Sequence, residues 1–176
     1  MQMVRPNVLF VDDEIRVIRS LKVLFSTQNQ FVVHTATNAI QALKLVRNTP
    51  IHVIVSDQRM PEISGVKLLK MAREISPDTV GILLTGYADI NAIVASINEG
   101  EVYRYITKPW NNQDLKEKVN NAVQIACKLK TVTSLPLSNY HDPLEALDKQ
   151  QKHGILVLHP ENDNQNAQLV CKFFAS

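Results

Sequence analysis

The chain has 176 residues, enough for one complete domain and part of another, and its 45% apolar and 20% charged residues exclude wholesale disorder. Its 19 basic and 17 acidic side chains are scattered and give a net charge of +2, so no basic stripe predicts a nucleic-acid partner. Since no apolar run approaches the roughly 18 residues of a membrane span and the N-terminus lacks a signal-peptide core, we expect a cytoplasmic protein that does not bind membranes.

Five short apolar runs, each bounded by polar or turn residues, are typical of β-strands. Successive runs start 20 to 29 residues apart, which leaves room for a helix and two loops, as a parallel crossover requires. The pattern predicts five βα units and therefore an α/β protein with a doubly wound parallel sheet. The predicted strands start at Val8, Phe31, Ile51, Val80 and Val102.

Polar residues distinguish the second and fifth predicted strands, which are associated with His34 and Arg104 and are therefore expected at the sheet edges. Apolar stripes at helical spacing predict the faces that the helices turn towards the sheet. The stripes consist of Ile15, Ile18, Leu21 and Leu24; of Ile40, Leu43 and Val46; of Val66 and Leu69; and of Leu115, Val119, Ala122, Ala126 and Leu129.

The composition changes near Lys130, and the turn-rich residues that follow predict a linker over 131–153. Within it, Asp142-Pro143-Leu144-Glu145 predicts the start of a short helix that ends near Gly154. Residues 154–176 are then expected to form a βα fragment, with a strand at Ile155–Leu158 and a helix rich in Asn and Gln. Gly154–Glu161 resembles Asn7–Glu14, which indicates either the start of a degenerate second copy of the first domain or a chance apolar strand.

Chemically distinctive side chains follow the predicted strands at their carboxyl ends, where an open doubly wound sheet binds its ligands. Each alone is more often a helix cap or a solvated charge, but together they indicate a functional edge. Three carboxylates in one pocket repel each other, and Mg²⁺ with oxygen ligands would relieve that repulsion. A metal, a cation and a hydroxyl are what phosphoryl transfer to a carboxylate needs. The residues are Asp12 and Asp13, Asp57, Thr85 and Lys108.

These motifs resemble the receiver domain of two-component response regulators over about residues 5–128. Within that family the pattern is similar to receivers attached to HD-GYP cyclic-di-GMP phosphodiesterases or to hydrogenase-type transcriptional regulators. The motifs are Val11-Asp12-Asp13-Glu14, Ser56-Asp57-Gln58-Arg59-Met60-Pro61 with Gly65, Leu84-Thr85-Gly86-Tyr87, and Tyr105-Ile106-Thr107-Lys108-Pro109-Trp110.

The resemblance implies a flavodoxin-like receiver fold over residues 1–130, with strand order 2-1-3-4-5. It also implies that Asp57 accepts a phosphoryl group from a sensor histidine kinase. Mg²⁺ would bind Asp13, Asp57 and the Arg59 carbonyl, with Asp12 acting mainly through water. Lys108, followed by a cis bond to Pro109, would pair with a phosphoryl oxygen, and Thr85 would hydrogen-bond to it.

By the same resemblance, Thr85 and Tyr105 form the switch. Thr85 would move towards the phosphoryl group, and Tyr105 would fill the space behind it. The readout face would be the fourth predicted helix, the fifth strand and the fifth predicted helix, a face compatible with a homodimer. Since Arg59 and Tyr87 flank the path of the hydrolytic water, we expect them to shield the acyl phosphate and make self-dephosphorylation slow.

Other functions of the same fold differ from this interpretation in the residues that they require. A flavin carrier is excluded because Asp12-Asp13 would repel the flavin phosphate. An aspartyl-phosphate phosphatase would need a second acid where Arg59 stands, so we expect a signalling domain and not an enzyme with turnover. The remaining alternatives are an interaction module that keeps only the fold, and the receiver part of a larger phosphodiesterase or transcriptional regulator with an unknown output.

Overall fold

The structure is a computed structural model that describes residues 5–26, 30–86 and 102–133, together with two short strands near the C-terminus. The chain divides into two compact units, residues 1–130 and 131–176. The strands of the first unit are β1 (Asn7–Val11), β2 (Val32–Ala36), β3 (Ile51–Asp57), β4 (Val80–Thr85) and β5 (Arg104–Thr107). The helices are α1 (Ile15–Ser26), α2 (Ala39–Asn48), α3 (Gly65–Ile75) and α4 (Asn112–Thr133).

The five strands form one parallel sheet in the order β2-β1-β3-β4-β5, which confirms the predicted fold and strand order. The strands with His34 and Arg104 are the two edges, as expected from their polarity. The helix predicted between the fourth and fifth strands lies outside the described residues, and α4 is the fifth predicted helix. No helix in the described ranges is both long and apolar enough to cross a membrane.

Two apolar layers enclose the sheet, because successive strand residues point to opposite faces. One layer joins Phe10, Val55 and Leu84 to the buried faces of α1 and α4. The other joins Leu9, Ile54 and Leu83 to α2 and α3. Strands β1, β3 and β4 are therefore buried on both faces, which explains their nearly unbroken apolar sequences.

The apolar stripes predict the sheet-facing residues of the helices correctly at most positions. Two isoleucines that were predicted to face the sheet are exposed instead. Ile15 is 54% exposed and Ile40 is 49% exposed, whereas Phe25 and Ala39 are fully or almost fully buried. A helix turns about 100° per residue, so a stripe read at a spacing of three drifts off the face that the sheet covers. Both isoleucines lie in the first turn of their helices, at the flank of the buried face.

A β-bulge lies at the amino ends of the central strands. Asn7 pairs with Ile51 and Val8 pairs with Val53, so His52 is an extra residue in β3. The His52 ring compensates, because its Nδ1 accepts the Asn7 backbone N–H at 3.1 Å. The Asn7 side chain donates to the Pro50 carbonyl at 3.1 Å, and its Oδ1 lies 3.0 Å from His34 Nε2. These four residues form what we call the amino-end cluster.

In the second unit the described strands are β6 (Leu156–Val157) and β7 (Lys172–Phe173), which pair antiparallel. Strand β6 lies within the predicted strand Ile155–Leu158. Helix α4 continues to Thr133, into the segment predicted as linker. The predicted linker helix and the Asn- and Gln-rich helix lie outside the described residues. A degenerate second receiver stays a prediction.

Candidate functional site

Three charged side chains meet at the carboxyl end of the sheet. Asp57 is the last residue of β3, Asp12 follows the neighbouring strand β1, and Lys108 follows the edge strand β5. Lys108 Nζ lies 2.6 Å from Asp57 Oδ1 and 3.0 Å from Asp12 Oδ2. We call these residues the carboxylate–lysine triad. Residues separated by up to 96 positions in the chain thus form one site.

Both carboxylates of the triad are held in the same way. One oxygen of each faces the Lys108 ammonium, and the other accepts a backbone N–H from two residues further along the chain. Glu14 N–H donates to Asp12 Oδ1 at 2.8 Å, and Arg59 N–H donates to Asp57 Oδ2 at 2.9 Å. The loops after β1 and β3 therefore fix the orientation of the acids that precede them.

Burial governs the electrostatics of the triad. Asp12 is fully buried and Asp57 is 6% exposed. Desolvation by burial raises the pKa of Asp12 above its usual 3.8, although the Glu14 N–H and Lys108 act in the opposite direction. Burial also opposes the charged form of Lys108, but its hydrogen bonds and charge interactions with both aspartates outweigh this, so the pKa of Lys108 is raised above 10.5. Two carboxylates thus share one ammonium group.

A backbone hydrogen bond connects Lys108 to strand β4. Lys108 N–H donates to the Thr85 carbonyl at 2.7 Å, and the Lys108-Pro109 peptide bond is cis, as the resemblance implies. Beside it lies an open groove of about 430 Å³, lined by Glu14, Val17, Lys108, Pro109 and Trp110. The chain's single tryptophan therefore lies next to the triad lysine.

The two predicted switch residues lie on the neighbouring strands β4 and β5. Thr85 is buried, and its hydroxyl donates to the Gly86 carbonyl at 3.1 Å. Tyr105 on β5 pairs with Leu83 on β4 and packs, half-buried, against the layer formed by α2 and α3. In this conformation the Thr85 hydroxyl thus binds the backbone of the next residue, while Tyr105 lies beside the core.

The remaining predicted site residues are Asp13, Arg59 and Tyr87. Asp13 and the Arg59 side chain are exposed, and Tyr87 lies outside the described residues. Among the residues that the structure describes, no three His, Cys, Asp or Glu side chains are spaced as metal ligands. The physical reason is visible in the triad, because the Lys108 ammonium contacts both buried carboxylates while Asp13 points to solvent.

Sequence reasoning did not anticipate how closely helix α3 approaches Asp57. A Cβ atom on Gly65 would lie 2.2 Å from the Asp57 carbonyl oxygen, so only glycine fits there. Gln58 also contacts this helix through its side chain, since its Oε1 accepts the Val66 N–H at 3.1 Å. A glycine after the Met-Pro pair was a usable signal in the sequence, whereas the glutamine contact had none.

Comparison with known proteins identifies the family. The response regulator receiver domain model matches residues 8–120. The hydrogenase transcriptional regulatory protein HoxA of Bradyrhizobium diazoefficiens is 41% identical over 122 residues, which cover 69% of this chain and 25% of that protein. The regulatory protein AtoC of Escherichia coli is 35% identical over 129 residues, which cover 73% of this chain and 28% of AtoC. The chain thus spans about a quarter of the length of these curated relatives.

A solved structure agrees with the sequence relatives. The signal receiver domain of an HD domain-containing protein from Pseudomonas fluorescens aligns with a TM-score of 0.69 and 33% identity, covering 74% of this chain and 96% of that domain. Similarity to hydrogenase transcriptional regulators and to the receiver of an HD domain-containing protein confirms the resemblance seen in the motifs. Phosphorylation and Mg²⁺ binding are typical of the family, whose members are signalling domains. The chain belongs to the response regulator receiver family and carries the receiver domain of a two-component response regulator.

Proposed function

We propose that Asp57 is the phosphoacceptor of this receiver and that a sensor histidine kinase is its donor. The observation that carries the proposal is the triad, in which a buried carboxylate at the end of a central strand lies 2.6 Å from a lysine ammonium. A cation at that distance can stabilise the negative charge of an incoming phosphoryl group without reorganising. The kinase partner and the family's typical location favour a cytoplasmic protein.

The reaction would transfer a phosphoryl group from a phosphohistidine to one Asp57 carboxylate oxygen. The phosphorus–nitrogen bond breaks as the phosphorus–oxygen bond forms, and the departing imidazole nitrogen keeps the electron pair and takes up a proton from solvent. Lys108 would neutralise phosphoryl oxygens, and the Arg59 N–H would keep the carboxylate oriented. The domain would thus promote its own phosphorylation without being an enzyme with turnover.

The donor set at this edge suits Mg²⁺. It consists of oxygens alone, from Asp13, Asp57 and the Arg59 backbone carbonyl, with Asp12 acting mainly through water. Burial of the Asp12 carboxylate next to a second acid, which raises its pKa, is a strain that a divalent cation relieves. When bound, Mg²⁺ would supply positive charge for the phosphoryl oxygens. Exposed Asp13 is the ligand that such a cation would recruit.

Phosphorylation would act on the switch by adding a charge of about −1.5 to −2 and new acceptor oxygens. The Thr85 hydroxyl, which now donates to the Gly86 carbonyl, would turn to a phosphoryl oxygen. Tyr105 would then occupy the space behind it and change the face that includes β5 and α4. A homodimer through this face is one outcome compatible with the family.

The acyl phosphate should be long-lived. The exposed Arg59 side chain, together with Tyr87, would shield it from water, and neither residue is a general base. We further infer that the receiver controls a transcriptional output, because HoxA and AtoC are named as regulatory proteins and the match spans only about a quarter of each. A module that keeps only the fold is disfavoured by the intact triad.

Mass spectrometry tests the phosphoacceptor directly. The full chain is incubated with acetyl phosphate and MgCl₂, and Asp57→Asn is treated in parallel. We expect the wild type to gain the mass of one phosphoryl group, only when Mg²⁺ is present, and Asp57→Asn to gain none. Equal labelling of the two proteins would assign the phosphoryl group to another residue and overturn the proposal.

A further inference from the structure

Gln58, the residue directly after the proposed phosphoacceptor, connects strand β4 to the start of helix α3. Its backbone N–H donates to the Leu84 carbonyl of β4 at 2.9 Å, next to Thr85. Its carbonyl accepts the Gly65 N–H at 3.0 Å, and its side-chain oxygen accepts the Val66 N–H at 3.1 Å. Gln58 therefore binds β4 through its backbone and the first turn of α3 through both backbone and side chain.

The first turn of α3 lies against the backbone of Asp57. A Cβ atom at Gly65 would be 2.2 Å from the Asp57 carbonyl oxygen and 2.7 Å from Leu83 Cδ1. Glycine at position 65 therefore lets the first turn of α3 lie directly against the Asp57 carbonyl. The hydrogen bonds of Gln58 keep the helix start and the phosphoacceptor in one arrangement.

The side chain of Gln58 supplies a bond that the helix lacks by itself. The first N–H groups of a helix have no partner within it. In α3 the N-cap residue Ser64 accepts the Lys67 N–H at 3.4 Å, and Gln58 accepts the Val66 N–H at 3.1 Å. Both side chains stabilise the same turn. Of the two residues, only Gln58 is directly bonded to Asp57 in the sequence. Gln58 also lies between Asp57 and Arg59, in the turn in which the Arg59 N–H donates to Asp57 Oδ2 at 2.9 Å.

We propose that Gln58 is a positioning residue for the phosphorylation of Asp57. It does not touch the donor; its side-chain bond to α3 holds the Asp57–Arg59 turn in the geometry in which the carboxylate is presented to phosphorus. The inference rests on the proposed function of Asp57. Because phosphoryl transfer depends mainly on positioning, loosening this turn should slow the reaction without weakening donor binding.

The test compares Gln58→Met with Ser64→Ala in the full chain. Methionine keeps the length of the side chain and removes the acceptor, whereas Ser64→Ala removes the other cap of the same turn. Phosphorylation by acetyl phosphate with saturating MgCl₂ is followed by Trp110 fluorescence and checked by mass spectrometry. Thermal unfolding is measured for both variants, and each should lose about 3 °C in Tm.

We expect Gln58→Met to lower the maximal rate about tenfold, with an unchanged half-saturating acetyl phosphate concentration, and Ser64→Ala to leave both at the wild-type values. A wild-type rate in Gln58→Met, an equal loss in Ser64→Ala, or a change confined to the half-saturating concentration would each overturn the inference. If Gln58→Met does not fold, Gln58→Asn, which is one methylene too short to reach Val66, replaces it. Failure of the wild type itself to be labelled would refute the role of Asp57 instead.

Discussion

The two ends of the same sheet carry polar clusters of opposite character. At the amino end, Asn7 joins two histidines and the Pro50 carbonyl through hydrogen bonds that complete a β-bulge. At the carboxyl end, two buried aspartates share one lysine, which leaves the triad with an excess of negative charge. The amino-end cluster satisfies its own groups, whereas the triad is where we propose that a cation and a phosphoryl group bind. Two carboxylates against one ammonium group, more than polarity, distinguish the carboxyl end from the amino end.

The largest expected effect is on the rate of phosphorylation, and it comes from a change at the carboxyl end of the sheet. Lys108→Met removes the only cation of the triad, so phosphorylation by acetyl phosphate should slow at least about 100-fold because charge on the phosphoryl group is no longer stabilised. Mass spectrometry over a time course measures the rate. Asp57 labelling at the wild-type rate in this variant would show that the Lys108 contact does not contribute to the reaction.

A matched change at the amino end should affect only stability. Asn7→Ala removes the side-chain bonds to Pro50 and His34, which should cost about 1 kcal/mol of unfolding free energy. Urea unfolding gives that value, and the rate of phosphorylation should stay unchanged. Slower phosphorylation of Asn7→Ala would mean that the two ends are coupled through the strands.

Removing one negative charge from the triad should stabilise the fold. The folded-state pKa of Asp12 is raised above 3.8, so the ionised carboxylate lowers stability at neutral pH, and the loss is recovered as pH falls through the folded pKa. Asp12→Asn should therefore raise the unfolding free energy at pH 7 by about 0.5–1 kcal/mol while slowing phosphorylation. Above pH 3.8 the unfolding free energy of Asp12→Asn should change less with pH than that of the wild type. Destabilisation at pH 7 would contradict this account.

The smallest expected effect is on stability in acid. His34 makes the fold less stable as pH falls, whereas Asp12 makes it more stable. Burial lowers the folded-state pKa of His34 below 6.5, so its contribution to stability is present above pH 6.5 and is lost as pH falls below that value. His34→Gln should remove this part of the slope in unfolding curves measured between pH 7 and pH 5. An unchanged slope would show that His34 does not contribute to the acid sensitivity of the amino end.

Much of the fold was predictable because it follows from local patterns. The apolar runs end at Asp57 and Thr85, and both residues do terminate their strands. The polar residues His34 and Arg104 identified the sheet edges. The stripes failed at Ile15 and Ile40 because periodicity alone does not say where the sheet stops covering a helix.

The contacts of particular side chains were not predictable in the same way. His52 pairs with Asn7 across 45 positions, and only because a bulge shifts the register there. The bond from Val66 to Gln58 depends on how closely α3 approaches β3, which Gly65 permits but does not specify. Such contacts depend on tertiary distances that no local pattern encodes.

By itself, the sequence determined which residues stand at the carboxyl ends of the five strands, because apolar periodicity and the lengths between strands leave few other arrangements. Only the tertiary structure decided that Lys108 crosses from the edge strand to both aspartates while Asp13 points to solvent. Strand order brings β1 and β3 side by side, and burial strengthens the electrostatic interactions of their aspartates with Lys108. The residue types are therefore local information, and their electrostatic coupling is a property of the fold.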